Sequence, residues 1–254
     1  MAEDFPLKPV PRLRFATLIW LASMFGAVSV TVMILPQLGA EVTLPAPLWL
    51  IALASVLQSG LLLALATWAG VALTPTVGFR APLFEAAATR RPILTELWSQ
   101  LRPGVYAGVP AGLVLLVFTR FSPPEIARLA ERFEPPLLAR LLYGGVTEEV
   151  LMRWGVMTSL TWLMWRLLQR PGDAVRPAYV AVAIVVSSLI FGLGHLPVAH
   201  FLLGGLTPST LAWVIVANTS FGLLFGWLFW RRGLESAMVA HAMTHLVSHL
   251  AGRM

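Results

Sequence analysis

Two adjacent glutamates, Glu148 and Glu149, are followed by Arg153 in the stretch YGGVTEEVLMRWGV, and four histidines come later: His195 in FGLGHLP, and His241, His245 and His249 in HAMTHLVSHL. Carboxylates and imidazoles can move protons near neutral pH, hold a metal or stabilise a developing charge. On a helix Glu149 and Arg153 lie four residues apart with the acid first, the favourable order, so this pair can neutralise itself. Glu148 then points about 100° away around the helix and has no local partner, which leaves it as the carboxyl suited to proton transfer. The last three histidines recur every four residues along one face, where only a neighbouring pair converges on one small group. His241 and His245 are that pair; His249, beside the polar chain end at Arg253, reads as interfacial, and His200, after Pro197, as a loop residue.

These groups sit in a chain that is 57% hydrophobic and only 12% charged, with a mean hydropathy of +0.78. Soluble domains carry about a quarter charged residues, so the composition is that of an integral membrane protein. An ion at mid-bilayer costs several kcal/mol unless it is paired or faces a wet cavity, which makes each of these residues a candidate for function. The absence of cysteine excludes disulfides, thiolate metal sites and a cysteine nucleophile. The net charge of +6 is spread over loops, with no basic block interleaved with aromatics, so it reads as a topology signal and nucleic acid is not an expected partner.

The elements that must position the ions are membrane helices. Apolar runs of about 20 residues predict spans at Phe15 to Leu35, Leu48 to Leu73, Gly104 to Phe118, Leu137 to Leu168, Ala178 to Leu203, Thr210 to Trp230 and Leu234 to Leu250. The segment Ser122 to Arg140 has helical apolar spacing with mixed charge and is expected to lie along the interface. Ala81 to Leu101 is a candidate eighth, re-entrant or interfacial, helix. The expectation is therefore an all-α polytopic bundle of about seven helices. It forms a single membrane-embedded domain over 1–254, with a polar arm at 1–14 and the motif-bearing core at 137–250. With the N-terminus inside, inner segments carry Lys8, Arg12, Arg14, Arg80, Arg90, Arg91, Arg102, Arg166, Arg170, Arg176, Arg231 and Arg232. Outer segments carry Arg120, Arg128, Arg132, Arg140 and Arg253, and twelve against five predicts a cytoplasmic N-terminus. Rise per residue puts Glu148 ~16 Å below Leu137 and His241 ~10 Å from the inner face. The three groups can then meet only where helices tilt or break, and Gly192, Gly194 and Pro197 mark a break beside His195.

The order EExxxR (Glu148, Glu149, Arg153), FxxxH (Phe191, His195) and HxxxN or HxxxD late in the chain resembles the CAAX protease and bacteriocin-processing family. These are the CPBP or Abi glutamic intramembrane proteases, related to the CAAX prenyl endopeptidase. The resemblance runs from Thr147 to His245, and this chain departs from it at His245, where the family has Asn or Asp. It implies that Glu148 and His195 activate a water for attack on a peptide carbonyl, that His241 and residue 245 stabilise the oxyanion, and that Glu149, Arg153 and Phe191 support them. No cofactor is then needed, and the partners are a membrane-associated protein or peptide substrate and the bilayer. The arginines, prolines and tryptophans suit a bacterial plasma membrane. Two alternatives stand beside this reading. Glu148, His195, His241 and His245 could form a three-His, one-carboxylate zinc shell, although HExxH is absent. A transporter or immunity protein could use the same ions as a relay or a structural network.

Overall fold

The apolar runs fold into long helices, as they must where lipid offers the backbone no hydrogen-bond partner. The structure, a computed structural model, describes residues 10–41, 44–170 and 172–253. Most of the expected N-terminal arm, including Lys8, lies outside the described residues.

In chain order the elements are α1 (Arg12–Met33), α2 (Leu35–Glu41), α3 (Leu48–Val77), α4 (Pro82–Ala88), α5 (Leu94–Arg120) and α6 (Pro124–Arg132). One continuous helical stretch then runs over 137–168. It begins as α7 (Leu137–Ala139), widens into two π-helical segments, π1 (Arg140–Glu148) and π2 (Val150–Met157), and ends as α8 (Thr158–Leu168). After it come α9 (Pro177–Gly194), α10 (Leu196–Leu203), α11 (Pro208–Arg232) and α12 (Leu234–Ala251). Among the described residues, five stretches are long and apolar enough to cross a bilayer: Arg12–Ala40, Leu48–Val77, Leu94–Arg120, Pro177–Leu203 and Pro208–Arg232. The protein is thus an all-α, polytopic membrane protein. The other two expected spans, 137–168 and α12, are helical, but their glutamates, arginines and histidines lower their hydropathy.

The third span begins ten residues earlier than expected. Pro103 and Pro110 both lie inside α5, which starts at Leu94; prolines that break soluble helices are tolerated in membrane helices, where neighbours re-satisfy the freed carbonyls. The candidate eighth helix is instead the short α4, a turn with Arg90 at φ 56°, and the opening turns of α5. The interfacial segment contains α6, none of whose residues is buried.

The most extensively packed helix pair is α5 against α12. A Cβ on Gly104 would stand 2.6 Å from Val239 Cβ, one on Gly108 2.5 Å from Met243 Cβ, and one on Gly112 2.6 Å from Val247 Cβ. Small residues at one face let membrane helices approach until their backbones touch, and here they bring in the helix that bears His241. Gly108→Val is therefore expected to destabilise by about 1–3 kcal/mol through overpacking, read as a lower unfolding temperature in detergent. Gly60→Ala, whose new methyl would meet Met24 no closer than 3.7 Å, is the control and leaves that temperature unchanged or higher.

Polar fastenings fix both ends of α12. At one end Gln100 donates to the Arg232 carbonyl (3.0 Å), Ser236 Oγ donates to Gln100 Oε1 (2.8 Å), and Phe84 N donates to Glu235 Oε1 (3.0 Å). At the other, Arg140 lies 2.9 Å from Glu134, and His249 Nδ1 lies 2.8 Å from Arg140 and 3.1 Å from Glu134.

Candidate active site

Glu148 closes π1 and Glu149 follows it at once. The ordinary-helix geometry expected here is corrected: the helix is π-wound on both sides of the doublet, a form that recurs at functional sites. Thr147 Oγ1 donates to the Ser23 carbonyl at 2.6 Å and fixes this segment against α1.

Glu149 and Arg153 are fully buried, with Arg153 Nε 3.3 Å from Glu149 Oε2. Arg153 also donates to the Gly222 carbonyl at 3.3 Å. Its guanidinium carbon lies 5.3 Å from the centre of the Phe191 ring and 5.9 Å from that of Phe225. Arginine's planar, weakly hydrated cation suits such a site, and a desolvated cation–π contact is worth about 2 kcal/mol. Glu149 has a second task that the sequence did not indicate: its Oε1 lies 2.9 Å from His241 Nδ1. A carboxylate paired with arginine can only accept, so Nδ1 carries the proton of that bond and Nε2 turns towards Glu148.

Glu148 faces two imidazoles from distant helices. His195 Nε2 is 3.8 Å from its Oε1 and His241 Nε2 is 3.9 Å from its Oε2. Its side chain is 17% exposed and that of His195 30%, whereas that of His241 is only 6% exposed. His195 stands at the expected break, between α9 and α10. Its Nδ1 lies 2.8 Å from the Phe191 carbonyl, which can only accept, so the proton is on Nδ1 and Nε2 keeps its lone pair. Phe191 also holds the ring edge-on, at 4.7 Å and 82°.

His241 is stacked between Phe225 (4.5 Å, 21°) and His245 (5.1 Å, 29°). The zinc shell considered above is not assembled: among the described residues no group of three or more His, Asp or Glu is arranged to hold a metal ion. His249 is held at the bundle end as described, and His200 lies exposed on α10, apart from the cluster.

Gly144 and Phe225 complete the setting. A Cβ on Gly144 would stand 2.9 Å from His245 Nε2 and 3.2 Å from His241 Nε2, so the bare backbone leaves room for both imidazoles that α12 presents. The glycine pair just before the doublet was a signal that could have found Gly144. Phe225, one apolar residue among many in α11, gave none.

Helical membrane architecture around a buried acid–imidazole cluster makes this a polytopic membrane protein with ionisable groups gathered in its interior. Residues 132–247 match the family model described as type II CAAX prenyl endopeptidase Rce1-like, and this segment is a domain of that family. The match contains both glutamates, Arg153, Phe191, His195, His241 and His245, and leaves α1, α3 and α5 outside it. No curated protein and no solved structure matches the chain.

Proposed function

We propose that the protein is an intramembrane endopeptidase that hydrolyses a peptide bond of a membrane-associated protein or peptide with an activated water. The observation that carries this reading is the convergence of one partly open carboxylate, Glu148, with His195 and His241 at 3.8 and 3.9 Å. Those separations exceed a direct hydrogen bond and are of the size that a single water spans.

The roles follow from the protons. With Nδ1–H committed to the Phe191 carbonyl, His195 can accept at Nε2, so a water between it and Glu148 gives one hydrogen bond to each and turns a lone pair towards the substrate carbonyl. Glu148 takes the proton as the oxygen attacks, and returns it to the departing amine. His241 can donate from Nε2 only when it carries both protons, because Nδ1–H is already given to Glu149; that carboxylate stabilises the imidazolium, which in turn meets the oxyanion. His245, stacked beside it, supplies a second donor where the family has Asn or Asp. Arg153 and the Phe191 and Phe225 rings hold Glu149 and both imidazoles in place. The domain extends over the whole chain, with seven crossing helices formed by the five apolar stretches, 137–168 and α12. The enclosing membrane is a bacterial plasma membrane with the N-terminus cytoplasmic.

Comparing the proteomes of cells carrying the wild type and Glu148→Ala tests the reading. Uncleaved precursors are expected to accumulate in the variant alone, and identical peptide termini in both would point to a relay or binding role. Gly144→Ala gives a second expectation. Its methyl displaces the two imidazoles by a fraction of an ångström to an ångström, and misplacement on that scale lowers turnover by about 100-fold while the unfolding temperature holds.

A further inference from the structure

The direction in which the cluster opens can be read from what lies on either side of it. Successive long helices run in opposite directions, so one end of the bundle carries the start of α1, α4 and the end of α11, and the other carries α6, α10 and the end of α12. Towards the first end Arg153 is sealed by Trp154, Met157, Phe225, Leu228 and Phe229, none more than 2% exposed. Towards the second, polar groups step outward from Glu148. His241 stacks on His245, and one turn further His249 meets Arg140 and Glu134 at the surface. On the same side α9 stops at Gly194, which is exposed and has no atom within 4 Å of where its Cβ would stand. An apolar plug on one side and a ladder of polar groups on the other give water one way in.

The two ends also differ in charge. The twelve basic residues of the inner set, less Lys8, leave eleven arginines at the plugged end, against five at the open end. An excess of arginine marks the cytoplasmic side of a membrane protein.

We propose that the cluster opens to the extracytoplasmic face, so that its substrate is a polypeptide segment presented from outside the cytoplasm: an exported protein or secreted peptide held at the outer leaflet, and not a tail lipidated on the cytoplasmic side. The word substrate rests on the hydrolase reading above; the direction of opening does not. A cytoplasmic tail would meet the plug of Trp154, Phe225 and Phe229, whereas an exported segment meets the polar ladder.

The chain has no cysteine, so single cysteines can report the face directly. Gly194→Cys probes the opening, and Ala130→Cys on α6 and Ala174→Cys in the loop before α9, both exposed, mark the two ends. Each variant is treated with a membrane-impermeant trimethylammonium methanethiosulfonate, in right-side-out spheroplasts and in inverted vesicles. Modification of Gly194→Cys and Ala130→Cys in spheroplasts, with Ala174→Cys modified only in inverted vesicles, is the expected result. Modification of Gly194→Cys only in inverted vesicles, or in neither preparation, overturns the proposal, as does a reversed pattern of the two markers. None of these outcomes depends on catalysis, so an inactive protein would sink the hydrolase reading and leave the direction standing, and the reverse also holds.

Discussion

Glu148→Gln is expected to insert and fold like the wild type and to lose cleavage by about 10²- to 10⁴-fold, the usual contribution of a general base. At 1.36 kcal/mol per decade this is ~3–5 kcal/mol of transition-state stabilisation. The separation of folding from activity follows from the surroundings of this carboxyl. Its neighbours are imidazoles at 3.8 and 3.9 Å and its side chain is partly exposed, so neutralising it strands no buried charge: His241 keeps Glu149 as its partner. The amide keeps the shape and one acceptor but cannot take the water's proton. Size-exclusion profiles and unfolding temperatures measured beside precursor cleavage would check both halves. A variant that still cleaves at near wild-type rate would remove the proposed base.

Arg153→Met should do the opposite and damage the fold first. The arginine is fully buried and is the counter-ion of an equally buried Glu149, and removing one partner of such a pair costs about 3–5 kcal/mol because the other charge is left uncompensated. Truncation also forfeits the contacts to the Phe191 and Phe225 rings. The expected signs are a sharply lower unfolding temperature and reduced yield in the membrane. Combining Arg153→Met with Glu149→Gln should restore much of the loss, since no unpaired ion then remains and Gln can still accept from His241 Nδ1. An unfolding temperature for Arg153→Met equal to that of the wild type would mean that the pair has no structural weight. If Glu149→Ala instead folded normally and lacked activity while Glu148→Ala kept it, the assignment of the two acids would be reversed.

The helices and the ions were legible because lipid makes both conspicuous. Apolar runs of sufficient length have few folds open to them, and a charge inside one stands out, so Glu148, Glu149, Arg153, His195 and His241 could be selected before any geometry was known. The break at His195 was also legible from Gly192, Gly194 and Pro197. The bond between Glu149 and His241 was not, because it joins residues 92 positions apart and depends on which way two helices rotate about their axes. Phe225 was hidden for the same reason, and the true start of α5 because Arg102 and Pro103 resemble a loop. The π winding could not be read either, since nothing in the spacing of 140–157 distinguishes it from an ordinary helix.

That winding bears on how one short sequence supports two chemistries. Closing each ring through i→i+5 bonds needs more residues per turn than the ordinary 3.6, so consecutive side chains swing apart by less than the usual angle. Two acids adjacent in the chain can then both look inward, one at a reactant and one at the scaffold, without a second helix to supply the other carboxyl.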